Sequence, residues 1–295
     1  TADQCVLSAT DLDTWMSVTI PAGGDSFDFV FRNSANIQKV CRHYDGALEL
    51  ELQQRGDEAF LTMRSGGKGG EFPVYDTEDC PTWPEFRVRQ TYTANAAKIL
   101  VCIKQVKYAV NPHAIKLDYQ GVLFQNRHIW AVEGHRAACC DDGGLDVEKP
   151  FLVGVSALEQ LKAFGDADMQ ISVADEWVLF QNEQVRLLAK RIPNVTPMTY
   201  ESVVPQKWNE EFCFHRKDFV QALKYLLACV GKTDKPYVRF HNGTLSLRVN
   251  GCLYKAAVPI SAESSIVFGF DARFMLEALT QFEKQDMVTL SLIHI

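Results

Sequence analysis

Short runs in which apolar and polar residues alternate, broken by a few stretches of helical spacing, divide the chain into many strands and few helices. Alternation over residues 5–12, 15–20 and 27–31 predicts three strands. Ile37, Val40, Cys41 and Tyr44 then share one face of a helix over 35–44, which Asn33 or Ser34 can cap. Residues 47–52 and 59–63 alternate as a hairpin pair. From Phe86 the pattern predicts a strand, a helix over 94–110, and strands over 116–124 and 128–138. A strand at 151–153 leads into a short helix with Leu158, Leu161 and Phe164 inward, followed by strands at 169–173, 177–181 and 185–189. The same order restarts with a strand at 212–214, a helix over 217–230 and strands at 237–242, 244–249 and 253–258. A strand at 266–270 and a helix over 272–282 follow.

Two Pro-rich stretches, 80–84 and 193–205, interrupt the pattern and divide the chain into residues 1–86, 87–206 and 207–295. A strand, a helix and a further strand recur at 29–52, at 152–173 and at 267–292. The chain therefore repeats a strand–helix–strands unit far longer than a solenoid motif, and an α+β fold of a few globular copies around an axis fits it better than a stack.

The helix faces add chemistry to that pattern. The buried stripe of the helix at 94–110 is Ile99, Cys102, Ile103, Val106 and Val110, which leaves Lys98, Lys104, Gln105 and Tyr108 pointing away from the core. In the helix at 217–230 the outward residues are Lys217, Gln221, Lys224 and Tyr225. The helix at 272–282 leaves Arg273, Thr280 and Lys284 out, with Glu277 as an acidic exception. The net charge of −7 argues against nucleic acid as a partner. Its distribution does not: residues 1–86 carry 6 basic and 15 acidic groups, residues 87–211 carry 14 and 15, and residues 212–295 carry 10 and 7. Basic residues recurring on equivalent helices would form a field for phosphates that reads no bases.

With 295 residues, 47% of them apolar, the chain can bury a large core. No run approaches the roughly 20 apolar residues of a membrane span, and the first residues lack the regions of a signal peptide, so a cytoplasmic location is expected. The 9 cysteines are scattered, mostly in apolar settings, and are expected to be reduced. There is no paired Cys-x-x-Cys set and no His-Glu-x-x-His, so no metal or cofactor is expected.

One stretch breaks its own pattern. The apolar run 129–132 passes into Glu133-Gly134-His135-Arg136, polar residues that a bare core strand does not require. Gly134 is expected to turn the chain there and expose its neighbours. A capped strand with satisfied polar groups is one reading of it. An enzyme using His135 as base with Cys139 or Cys140 as nucleophile is another.

Five segments, taken in order, resemble the bacterial sliding clamp family, the beta subunit of DNA polymerase III. They are Leu7-Ser8-Ala9-Thr10-Asp11-Leu12-Asp13, Met63-Arg64-Ser65-Gly66 with Phe72-Pro73, Val132-Glu133-Gly134-His135-Arg136, Val203-Val204-Pro205, and the stretch from Phe268 to Leu279. Glu133 stands where the family has Asp and Val132 where it has Thr. Against the family, the chain is expected to start after the first helix of domain one and to stop before the last strands and tail. The resemblance implies repeated clamp-type domains with helices lining an inner face and antiparallel sheets outside. It implies a head-to-tail homodimer ring around double-stranded DNA, without intrinsic catalysis, in the nucleoid-associated cytoplasm. By position in the repeats, Lys39, Arg42, Lys104, Lys116, Lys217, Lys224, Arg273 and Lys284 are candidates to face DNA. In the family, the replicative polymerase, clamp loader and repair proteins insert a short peptide between the second and third domains. Gly134, His135, Arg136 and Pro205 match that cleft, with Val132 and Tyr119 on its wall. A clamp-like protein scaffold that does not encircle DNA is the alternative.

Overall fold

In this computed structural model the described residues are 3–31, 34–78, 80–141, 143–193, 204–205, 207–231, 234–261 and 267–292. The Asn33 cap, most of the second Pro-rich stretch with Val203, and position 266 lie outside them. The chain forms two compact units, Thr1–Glu85 and Phe86–Ile295.

In the first unit β1 (Gln4–Thr10) and β2 (Thr14–Pro21) form an antiparallel hairpin. Asp11 closes its turn by accepting the Thr14 amide at 2.6 Å. Helix α1 (Ala35–Cys41) precedes a sheet of β3 (Glu49–Arg55), β4 (Glu58–Ser65) and β5 (Lys68–Val74). Leu61, Met63 and Val74 form the buried centre, against which Phe29, Phe31, Ile37 and Phe72 pack. The strand expected at 27–31 is absent. Val30 makes a single bridge with Tyr75, and the aromatic rings pack instead of pairing: Phe29 and Phe31 lie 5.0 Å apart, edge to face. An apolar run without a partner strand does not complete a ladder. Helix α1 also stops at Cys41 instead of Tyr44, and Ser34 makes no capping hydrogen bond.

The second unit opens with β6 (Gln90–Asn95) and α2 (Ala96–Val106). The helix expected from position 94 starts two residues later because Asn95 ends the strand and its side chain accepts the Lys98 amide at 3.1 Å, the geometry of an N-cap. A 3-10 turn, Leu117–Tyr119, occupies part of the strand expected at 116–124, and β7 begins only at Val122 (Val122–Asn126). The stretch 128–138, with its turn expected at Gly134, is a hairpin of β8 (His128–Glu133) and β9 (Arg136–Cys140). Then come β10 (Val147–Val153), α3 (Val155–Leu158) continuing as a 3-10 turn Glu159–Phe164, β11 (Asp168–Val173), β12 (Trp177–Gln181) and β13 (Val185–Ile192). These strands lie in the order β6-β11-β12-β13-β10-β7-β8-β9.

Next along the chain are β14 (Glu210–His215), α4 (Arg216–Ala228), β15 (Tyr237–His241), β16 (Thr244–Val249), β17 (Cys252–Ala257), β18 (Val267–Asp271), α5 (Ala272–Thr280) and β19 (Met287–Leu292). They pair as β14-β19 and as β17-β16-β15-β18. The Asn242-Gly243 turn joins β15 to β16 with φ of +42° and +69°, the left-handed pair that a two-residue hairpin of this twist requires.

The pairing shows why the sequence repeats. The strand before α2 (β6) pairs with the strand after α3 (β11), and the strand before α4 (β14) pairs with the strand after α5 (β19), both antiparallel. Likewise β10 pairs with β7, and β18 with β15. Each helix therefore crosses one face of strands whose partners come from the other half-repeat. Of the expected stripe of α2, Ile99, Cys102, Ile103 and Val106 are at 1% exposure or less, whereas Val110 lies beyond the helix end and is only half-buried. In α4, Phe219, Leu223 and Leu226 are buried to the same degree.

Phe240 is fully buried, stacked on Phe212 with centroids 5.0 Å apart and equally close to Phe268. Phe240→Ala is expected to lower the unfolding free energy by about 3–5 kcal/mol, since the ring leaves a void that its neighbours fill only in part. A urea melt of the whole chain checks this.

Candidate functional site

The hairpin β8–β9 presents two unlike faces. On one, Phe151, Phe124, Ile129 and Cys140 follow one another across β10, β7, β8 and β9, all buried. Cys140 here lies 2.6 Å, sulfur to sulfur, from Cys102 of α2. On the opposite face a second row runs from Ile192 through Leu152, Leu123 and Trp130 to Cys139, one residue from each of five strands. Leu123, Trp130, Val132 and Leu152 form a buried apolar cluster there, with Tyr119 and Ile192 packed against it. Gly121 makes this possible by close approach: a Cβ at that position would stand 2.6 Å from the Val153 carbonyl oxygen and 2.8 Å from Ile192 Cδ1.

At the tip, Gly134 and His135 form the turn and are exposed. Gly134 does not take a left-handed φ, and a Cβ there would meet nothing within 4 Å. The turn therefore does not depend on glycine for its backbone, contrary to the sequence expectation. Glu133 and Arg136 face each other across the hairpin ends and form an ion pair at 2.9 Å. Their side chains are only 13% and 17% exposed, so this pair is screened far less than a surface one.

Arg136 is the hub of the site. Its guanidinium lies 4.5 Å from the ring centroid of Phe274 and 5.3 Å from that of Tyr108, and it also pairs with Glu277. Two aromatic faces and two carboxylates thus hold one cation between β9, the segment after α2, and α5. Tyr108, expected to point away from the core, is half-buried against this cation. Burial pushes its phenol pKa up, while Arg136 pulls against that rise. Glu277, the acidic exception on a basic helix, is there as a partner for Arg136. His135 stands 5.9 Å from Phe274, ring to ring.

The structure thus brings Val132 and Tyr119 together on the apolar floor, and places Gly134, His135 and Arg136 at the tip of the hairpin that carries part of it. Pro205 is exposed in the stretch before β14, and among the described residues no hydrogen bond, ion pair or ring contact joins it to the others. Sequence reasoning missed Phe274, Tyr108 and Glu277 as members of the site. The break in the basic pattern at Glu277 was the available signal.

The candidate phosphate-facing residues fall on exposed positions. Lys39 is on α1 and Arg42 at its C-cap, Lys104 is on α2, Lys217 and Lys224 are on α4, Arg273 is on α5, and Lys284 is in the turn after it. Lys116 instead precedes the 3-10 turn, its ammonium 5.5 Å from the Tyr119 ring centroid. Lys217 stands 3.7 Å from Asp286, and Arg273 donates to the Asp234 carbonyl at 3.3 Å. Lys104 and Lys224 have no ion pair among the described residues.

His135 and Cys139 do not meet. Four residues of extended chain separate them by about 13 Å. Cys139 donates instead to Asp141 at 3.2 Å, and burial together with that carboxylate pushes its thiol pKa far above the ordinary range. A nucleophilic thiol needs the opposite shift, and Cys140 points into the core.

No family model matches the chain and no curated protein matches it by sequence. Solved structures do. The DNA polymerase III beta subunit of Thermotoga maritima superimposes over 99% of this chain and 83% of its own, with a TM-score of 0.83 at 17% identity. The chain has the sliding-clamp fold. The DNA polymerase III subunit beta of Pseudomonas aeruginosa matches over 99% of this chain and 84% of its own, at 15% identity and a TM-score of 0.80. The C. crescentus beta sliding clamp does so over 99% and 82%, at 18% identity and 0.83. The α+β architecture expected from the repeated strand–helix–strands unit, and the antiparallel sheets that the resemblance implies, are those of the sliding-clamp fold. Among the described residues no helix is long and apolar enough to cross a membrane.

Proposed function

We propose that this chain is a DNA sliding clamp, a non-catalytic accessory subunit that gives a replicative polymerase processivity by encircling duplex DNA. The observation that carries the reading is the likeness to sliding clamps over 99% of the chain. Exposed cations on α2 and α4, which follow the first strand of equivalent half-repeats, support it. Three clamp-type domains, 1–86, 87–206 and 207–295, would form one subunit of a head-to-tail homodimer ring in the nucleoid-associated cytoplasm. Lys39, Arg42, Lys104, Lys217, Lys224, Arg273 and Lys284, with Lys116 at the margin, would meet backbone phosphates. Such contacts read no base, so the ring can slide.

The apolar floor and the hairpin tip form the docking half of the proposal. The C. crescentus clamp was solved with PEG at its proposed beta-motif tethering region. In this chain, Tyr119, Val132, Gly134, His135, Arg136 and Pro205 would receive a short peptide from the replicative polymerase, the clamp loader or repair proteins.

Topology provides the test. Loaded by a clamp loader onto nicked circular duplex, the protein is expected to stay bound through a high-salt wash and to be lost when the circle is linearised. Equal retention on both forms would mark an ordinary basic binder, and no retention on either would favour a protein scaffold that does not encircle DNA.

A further inference from the structure

The outer face of the β8–β9 hairpin carries three metal-ligating side chains that the clamp reading does not use. The pairing of Ile129 with Cys140 puts His128 opposite Asp141, and Trp130 is opposite Cys139. Side chains two apart on a strand share a face, so His128, Cys139 and Asp141 project together from two adjacent strands. His128 Nδ1 and Asp141 Oδ1 are 2.6 Å apart, and Cys139 Sγ is 3.2 Å from the same oxygen. All three ligand atoms lie within 4.8 Å of one another.

We propose that His128, Cys139 and Asp141 form a site for a single Zn²⁺ ion, with the fourth position open to water. An imidazole nitrogen, a thiolate and a carboxylate suit a borderline divalent ion, whereas magnesium and calcium take oxygen ligands. Around tetrahedral zinc, ligand atoms sit about 3.3–3.7 Å apart. The Cys139–Asp141 spacing is already close to that range, and His128 and Asp141 need to open by less than about 1 Å. The Asp141 side chain, 68% exposed, is free to make that adjustment, while the ladder holds the backbone of the other two. On binding, the Cys139 thiol gives its proton to solvent. Thiolate and carboxylate then balance the two charges of the ion beside a neutral imidazole. Cys139 ends the row that runs through Trp130, so the ion would pin the open edge of the apolar floor. The site does not depend on whether the chain encircles DNA.

Cobalt(II) is the probe. Titrated into the metal-stripped full chain, it is expected to produce a thiolate-to-cobalt charge-transfer band that saturates at one equivalent and is abolished by added zinc. Cys139→Ser should remove the band, and Cys252→Ser, at an exposed cysteine elsewhere, should keep it. Asp141→Asn, a substitution on a largely exposed side chain, should weaken cobalt binding at least ~10-fold and decides the matter if Cys139→Ser does not fold. No band in the unmodified chain, a band that survives Cys139→Ser, or unchanged affinity in Asp141→Asn would each overturn the site.

Discussion

Reversing charge at Lys104, Lys217 and Lys224 together is expected to weaken association with duplex DNA by roughly two orders of magnitude at low salt. All three side chains are exposed, so the fold should be unaffected. Each phosphate contact releases condensed counterions and contributes roughly 0.9 to the slope of log affinity against log salt. Loss of three contacts should therefore flatten that slope by between two and three, a signature separate from the affinity itself. Lys217 is available for such a contact despite Asp286, because a pair at 3.7 Å between side chains 73% and 80% exposed is worth little in water. Binding titrations at several salt concentrations give both quantities. Unchanged affinity and slope would mean that α2 and α4 do not face the DNA.

Changing His135 and Arg136 to Ala is expected to weaken binding of a polymerase-derived peptide at least tenfold, about 1.4 kcal/mol, while the assembled mass stays the same. Arg136 is enclosed by Phe274 and Tyr108, and its loss removes the group that orders both rings. It also leaves Glu133, 13% exposed, without its cation, which costs stability whether or not a peptide binds. Adding Glu133→Gln separates the two effects. Stability should recover in part, and the loss of peptide affinity should remain. Phe274→Ala should act in the same direction by removing the ring against which Arg136 and His135 lie. Equal peptide affinity in the His135/Arg136 variant would remove the hairpin tip from the docking surface.

The alternating pattern was enough for most strands, because a sheet with one face on helices imposes period two on its residues. The helix stripes were equally legible: Ile99, Cys102, Ile103 and Val106 are buried where the 3.6-residue spacing puts them. Local pattern failed where a partner decides the outcome. The aromatic run at 27–31 has strand composition, but only Val30 finds a bridge. At 94–110 the Asn95 side chain sets the helix start, a signal that apolar spacing alone overlooks. The candidate site was half legible. Glu133-Gly134-His135-Arg136 stood out as polar residues ending an apolar run, whereas Phe274 and Glu277 lie about 140 positions further on, and no local pattern joins them to Arg136. His128 and Asp141 escaped for a related reason. Their spacing matches no metal motif, and only the hairpin register sets them face to face.

The row from Ile192 to Cys139 has a consequence for how the chain can fail. Its five residues come from five strands, and each is correct only if every neighbouring pair is aligned. A slip of one residue in β8 would turn Ile129, Ala131 and Glu133 outward and put Trp130 and Val132 against α2. The apolar floor would vanish, and His128 would part from Asp141, although every strand could still be hydrogen-bonded. Peptide affinity would then report on strand alignment, and misaligned molecules that pass for folded by secondary-structure content would be silent in docking.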